Sequence, residues 1–164
     1  MARTRKPPPV DRLVGAAALA TRWNERLLAA HEPPLTVGQY LALRSIDREP
    51  LTAAELARRT GVSGPAVSQL VAVLEQEGWL ERSRVEGDRR RHALALTDEG
   101  ARVLSSASAL VRDGIGPLLA DLPPHEVDAL DGLLAHVEAA LGGTPPPRRP
   151  PPPPRPEGHP PRRR

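Results

Sequence analysis

Leu51-Thr52-Ala53-Ala54-Glu55-Leu56-Ala57-Arg58-Arg59-Thr60-Gly61-Val62-Ser63-Gly64-Pro65-Ala66-Val67-Ser68-Gln69-Leu70-Val71 decides the fold of this chain. Thr52 and Glu55 have the spacing of a capping box, in which the threonine hydroxyl takes the amide three residues on and the glutamate reaches back. Leu51 is placed to pack on Leu56 across the same helix start. The helix so begun is short, because Thr60-Gly61 ends it. After Gly61-Val62, Ser63 stands where it can cap a second helix. Its apolar positions Val67, Leu70, Val71 and Leu74 follow i, i+3, i+4, i+7, and Gly78 is placed to end it. Two helices joined by a short glycine-containing turn, the second with one apolar stripe, form a helix-turn-helix.

Outward from this unit the pattern becomes more specific. Leu80 to Val85 and His92 to Leu96 alternate as strands do, and Glu86-Gly87-Asp88-Arg89-Arg90-Arg91 between them combines a turn signal with three consecutive arginines. A helix-turn-helix followed directly by a basic-tipped hairpin is a winged helix. Thr97-Asp98-Glu99 then opens a helix predicted to run to about Leu119, with a disturbance between Gly114 and Pro117. After Pro123-Pro124 a last helix carries Val127, Leu130, Leu133, Leu134, Val137 and Leu141. On the N-terminal side, Thr36 and Gln39 repeat the capping box, Leu35 and Tyr40 repeat the apolar staple, and the helix they open runs to Arg48. A first helix spans Asp11 to about His31 and ends at Pro33-Pro34. The expected fold is mainly α with a small β-hairpin wing and about six helices. The first and last helices are apolar enough to pack together and against a second copy of the chain, as a homodimer.

The chain has 164 residues, enough for one domain with a core. Residues 1–9 and 142–164 are dominated by Pro, Arg and Gly. Their composition predicts a disordered basic arm and a disordered Pro/Arg-rich tail around a domain at 10–141. Charge divides at the same boundaries: the domain holds 14 basic and 19 acidic side chains, while the arm and tail carry +3 and +5 of the overall +3. The high isoelectric point therefore belongs to the ends of the chain. With no cysteine, disulfides, thiolate metal sites and catalytic thiols are excluded. The five histidines lack metal-ligand spacing, so no metal, cofactor or catalytic residue is expected. No phosphate-binding loop, dinucleotide fingerprint or nucleophile elbow is present, which weighs against an enzyme. No apolar run has the length of a membrane span, and a cytoplasmic location is expected.

The ordered set Leu51-Thr-Ala-Ala-Glu-Leu-Ala57, Gly61-Val-Ser63, Val67-Ser-Gln-Leu-Val71, Gly78-Trp79-Leu80-Glu81-Arg82, Gly87-Asp88-Arg89-Arg90 and Leu96-Thr97-Asp98-Glu99-Gly100 resembles the MarR family of winged helix-turn-helix transcription regulators. The resemblance implies a dimer that reads a near-palindromic operator in double-stranded DNA. Residues 35–97 would form the DNA-binding lobe, and residues 10–34 with 98–141 the dimerisation helices. The second helix of the motif would enter the major groove and the wing the adjacent minor groove. It also implies release, in many relatives, by a small aromatic or phenolic effector. Repression is the expected mode.

Within that frame, Gln69 can pair with adenine, Ser63 and Ser68 can reach phosphate or base edges, and Pro65 and Ala66 can touch a thymine methyl. This helix departs from the family pattern, for no basic residue lies between Arg59 and Arg82. Arg58, Arg59, Arg82 and Arg84 are available for phosphate or for structural ion pairs, and the wing must carry a larger share of phosphate neutralisation. There Asp88 followed by Arg89 and Arg90 suggests a carboxylate that holds one guanidinium while another enters the minor groove, with Arg90 expected to matter most by its place in the Asp-x-Arg pattern and Arg91 a further DNA-binding candidate. Trp23, His31 and Tyr40 are the candidate effector contacts. The competing readings are a protein-interaction adaptor acting through the Pro/Arg-rich tail, and a winged-helix protein of another family.

Overall fold

The computed structural model describes residues 7–85 and 88–143, with the side chains of residues 84–85, 88–92 and 142–143 outside that description. Six α-helices and one hairpin follow in the order α1 (Pro9–Ala29), α2 (Val37–Arg48), α3 (Ala53–Thr60), α4 (Gly64–Gln76), β1 (Leu80–Val85), β2 (Asp88–Leu96), α5 (Asp98–Ile115) and α6 (Pro124–Gly143). A single 3₁₀ turn, Gly116–Leu118, interrupts the chain after α5, where Gly114 to Pro117 predicted a disturbance.

Both capping boxes form. The Thr36 Oγ1 accepts from the Gln39 amide at 3.1 Å while Gln39 Oε1 takes the Thr36 amide at 2.8 Å. Thr52 and Glu55 do the same at 3.2 and 2.8 Å. Leu35, Tyr40, Leu51 and Leu56 are all buried, so each box is backed by its apolar staple. Ser63 occupies the N-cap of α4 as expected, but its side chain makes no capping bond, and Pro65 in the first turn helps set that helix's start. Gly61 and Gly78, at φ +67° and +73°, supply the left-handed turns that end α3 and follow α4.

The core is built from one stripe on each element: Leu43 and Ile46 of α2, Leu56 of α3, Val67, Val71 and Leu74 of α4, Leu80 and Leu94 of the hairpin, and Val103, Leu104 and Ala107 of α5. The hairpin is antiparallel, with Leu80 opposite Leu96 and Arg82 opposite Leu94. Leu94 also donates its amide to the Leu51 carbonyl at 2.7 Å, which ties the hairpin to the chain entering α3.

Two expectations are corrected. The strand expected at His92 begins at Asp88, so Arg89, Arg90 and Arg91 belong to β2 and not to the loop. Pairing steps from Arg84 with His92 to Val85 with Asp88, which leaves these three arginines in the register shift. The repeated charge had suggested a loop, but a hairpin needs only a short connection. The terminal helices, moreover, are not each other's principal neighbours within the chain: α1 lies on α2 and α5, whereas α6 touches α3.

The junction between hairpin and α5 is the tightest point in the fold. Thr97 caps α5 by accepting the Gly100 amide at 3.0 Å, donates its hydroxyl to the Gly78 carbonyl at 2.6 Å, and donates its amide to the Trp79 carbonyl at 3.1 Å. A Cβ on Gly100 would stand 2.0 Å from the Trp79 oxygen, a distance no atom can occupy. Gly100→Ala is therefore expected to cost about 3 kcal/mol, the upper end of overpacking penalties, because the obstructing atom is backbone. Gly64→Ala, with open space around it, serves as the control. Chemical denaturation of both variants checks this, and a Gly100→Ala midpoint equal to the parent's would refute the close approach.

Candidate nucleic-acid interface

The α4 helix separates into two faces. Val67, Val71 and Leu74 are buried, while Ser63, Pro65, Ala66, Ser68, Gln69 and Ala72 are exposed. The five candidates that the sequence singled out around this helix thus stand together on its free side. The Ser68 hydroxyl donates to the Gly64 carbonyl at 3.0 Å, one turn back, and keeps its lone pairs for an incoming donor. Val73 is a further exposed residue on this side, 38% accessible and one helical turn beyond Gln69. Its spacing of four from Gln69 was the signal that could have found it. The free face offers one amide, two hydroxyls and several small apolar groups, and no charge.

The arginines of the helix-turn-helix are paired internally. Arg58 meets Glu55 at 3.9 Å, Arg59 forms an ion pair and hydrogen bond with Glu49, and Arg82 grips Glu75. The last is two-pronged: Arg82 Nε donates to Glu75 Oε1 at 2.6 Å and Nη2 to Oε2 at 3.2 Å. The bond to Glu75, reinforced by that carboxylate's charge, raises Arg82 above the usual arginine value. Of the two roles the sequence left open to Arg82, phosphate contact or a structural ion pair, the second is the one seen in the structure, with Glu75 of α4. Nothing local in the sequence pointed to this partnership, since the two residues are seven apart and on different elements.

Of the wing residues, the side chains of Arg84, Asp88, Arg89, Arg90 and Arg91 lie outside the described residues, although the backbone places all of them on the hairpin. The expected carboxylate–guanidinium arrangement at Asp88 falls there too.

The three candidate effector contacts are dispersed. Tyr40 is buried and its hydroxyl lies 3.4 Å from Ser108 Oγ on α5, while His31 bonds Ser106 Oγ at 2.8 Å and the Pro33 carbonyl at 2.7 Å. Residues two apart on a helix project nearly opposite ways, so these bonds flank the core stripe of α5 on both sides. Trp23 stays 46% exposed on α1. Beside it, Asn24 Oδ1 is buried without a hydrogen-bond partner among the described residues. An open groove of about 370 Å³ between α2 and α5 is lined by Arg44, Asp47, Arg48, Ser105, Ser108 and Arg112, not by the three candidates.

Among the described residues no cluster of histidines and carboxylates could hold a metal ion, and no helix is long and apolar enough to cross a membrane. Large apolar side chains are instead exposed on the terminal elements: Val10, Leu13, Val14 and Leu19 of α1, Leu118 of the 3₁₀ turn, and Leu133, Leu134 and Leu141 of α6.

Comparison with known proteins bears on this arrangement directly. The model of the MarR family matches residues 34–91, from the segment just before α2 into the arginines of β2. The structure superposes on wild-type MarR of E. coli in its apo form with a TM-score of 0.65 at 28% identity, covering 80% of this chain and 98% of that one. A MarR family protein of Mycobacterium tuberculosis, solved in complex with salicylic acid, gives 0.64 at 25% identity over 80% of this chain and 97% of its own. The transcriptional regulator BldR of Sulfolobus solfataricus shares the fold, with a TM-score of 0.67 at 24% identity over 79% and 92%. The matched segment holds the helix-turn-helix and the wing as far as Arg91, and the superpositions take in the helices around them: in this segment and in its fold the chain is similar to the MarR family of transcriptional regulators.

Proposed function

We propose that the protein acts as a homodimeric repressor, reading a near-palindromic operator in double-stranded DNA with α4 in the major groove and the hairpin in the neighbouring minor groove. The observation that carries this reading is the free face of α4, where Ser63, Pro65, Ala66, Ser68 and Gln69 stand exposed beside a hairpin bearing Arg84, Asp88, Arg89, Arg90 and Arg91. The glutamine offers a donor and an acceptor to an adenine edge, and the small apolar groups suit thymine methyls. A face without charge reads bases but neutralises no phosphate, so the wing arginines carry the Coulombic share.

Dimerisation rests on the apolar residues exposed along α1, the 3₁₀ turn and α6. Apolar surface of this kind marks contact with another protein, and a twofold pairing would set two copies of α4 about one DNA turn apart. The domain limits follow: 35–97 as the reading lobe, 10–34 and 98–141 as the assembly helices.

Response to a small aromatic acid is the second part of the proposal, supported by the salicylic acid bound to the Mycobacterium tuberculosis relative. Here His31 and Tyr40 hydrogen-bond α5 from α1–α2 and Trp23 offers a stacking surface, so a ligand competing for these bonds would bias the position of α5. A coupling of about 1–3 kcal/mol is the usual size of such an effect.

Selection from a randomised duplex pool should return an inverted repeat with half-sites about 10 base pairs apart. Gln69→Ala should relax one position in each half-site by about 1–3 kcal/mol. A pool that emerges unenriched would sink the reading, and an unchanged motif would remove Gln69 from it. Arg90→Ala is expected to weaken binding and lower the slope of log affinity against log salt by about 0.9 per protomer; a slope equal to the parent's would exclude Arg90 from phosphate contact. Salicylate should raise the parent's melting temperature and loosen its hold on the selected duplex, and a melting curve that salicylate leaves in place would count against the effector.

A further inference from the structure

Arg82 is the one arginine of the hairpin whose side chain is described, and it is bonded to Glu75 at the end of α4. Along β1 the side chains alternate, so Leu80 and Arg82 share a face. Leu80 is 3% exposed, and Leu94, opposite Arg82, is 2% exposed. That face looks into the core and toward α4, and Arg82, itself exposed, stands at its outer margin, where the guanidinium meets Glu75.

Glu75 needs this partner. It lies in the last turn of α4, where the aligned peptide dipoles present negative charge, and that turn contains no basic residue. A carboxylate there is disfavoured unless a cation is supplied from elsewhere in the fold. Arg82 supplies it through two near-parallel bonds, a geometry that fixes orientation as well as distance. Between the two residues the chain is already pinned: the Trp79 amide donates to the Leu74 carbonyl at 2.9 Å, and the Gly78 amide to the Glu75 carbonyl at 3.0 Å. The pair thus closes a small ring of chain formed by the end of α4, the Gly78 turn and the first half of β1.

We infer that the Glu75–Arg82 bridge is a positioning clamp that sets the angle between the helix in the major groove and the wing in the minor groove, and that Arg82 makes no phosphate contact of its own. The inference rests on the DNA-reading function proposed above. A reader that must engage two grooves together gains affinity only if its two parts are held at the spacing of those grooves beforehand. The clamp joins the parts where they diverge, and it does so at a point too exposed to add much to folding.

The sign of one substitution separates a clamp from a phosphate contact. Near DNA, removing the negative charge of Glu75 should tighten binding if charge alone mattered; if the bridge positions the wing, Glu75→Gln should weaken it. The experiment uses the full chain and a short fluorescent duplex that the parent recovers from a randomised pool, with an unselected duplex alongside. Affinity is followed by anisotropy over a range of salt, and thermal unfolding is recorded for every variant. Glu75→Gln and Arg82→Gln are each expected to weaken binding to the selected duplex about tenfold, with the salt slope unchanged. The exchange of both residues, E75R with R82E, restores the bridge and should return affinity to within about threefold of the parent. Should Arg82→Gln fail to fold, Glu75→Gln and the exchange still decide the matter. The inference is overturned if Arg82→Gln lowers the slope by about 0.9 per protomer while Glu75→Gln tightens binding, because Arg82 then meets phosphate. It is overturned equally if both single variants bind as the parent does. A parent that recovers no duplex removes the DNA reading itself and the clamp with it, an outcome distinct from the other two.

Discussion

The contact of Gly100 with the Trp79 carbonyl is the constraint on which the arrangement of this protein depends. It allows the first turn of α5 to lie directly on the chain leaving α4, so that one threonine, Thr97, can cap α5, hold the Gly78 carbonyl and bond the Trp79 backbone together. Any side chain at position 100 would separate these segments. The recognition helix and the wing are thereby fixed to the long helix that runs back to α1 and α2. A movement of α5 would be passed to the hairpin and to the end of α4 through the backbone bonds at Thr97.

Charge is distributed unusually for a DNA reader. Arg58 and Arg59 of α3 are paired with Glu55 and Glu49 and Arg82 of β1 with Glu75, and α4 contains no arginine. The head is consequently built for shape and hydrogen bonding, and its internal ion pairs hold α2 to α3 and α4 to β1. Positive charge is concentrated in the three arginines of β2 and in the chain ends, which together outweigh an acidic domain. On the proposed reading, base recognition and Coulomb attraction would be carried by different parts of the chain, a separation in which sequence preference and salt dependence could vary independently.

Much of this was legible in the sequence because it is encoded locally. Thr36 with Gln39 and Thr52 with Glu55 are contacts between residues three apart, and each marks a helix start to the residue. The alternation in β1 and the stripe on α4 likewise need only neighbours. What escaped was set across elements. The bridge from Glu75 to Arg82 has no local signature, and neither has the meeting of α6 with α3. The meaning of Gly100 also escaped: in the sequence it was one letter of a family pattern, and only the position of Trp79 explains it. Of the candidate site, the exposed face of α4 was read correctly as a face, with Val73 overlooked on it. His31 and Tyr40 reach α5 at Ser106 and Ser108, on opposite sides of its core stripe, because residues two apart on a helix project nearly opposite ways.

The first helix has a consequence of a different kind. Of its 21 residues only Leu28, next to its C-terminal end, is buried, and the half that carries Val10, Leu13, Val14 and Leu19 is open to solvent. A helix anchored at one end has little local stability, and its free half opens at far lower cost than the head does. A solitary chain therefore exposes its beginning to proteolysis while its reading head stays folded, and a second copy covering α1 would remove that vulnerability. Lifetime in the cell would then follow assembly, so that surplus unpaired copies are cleared first and the amount of regulator is trimmed toward what is paired.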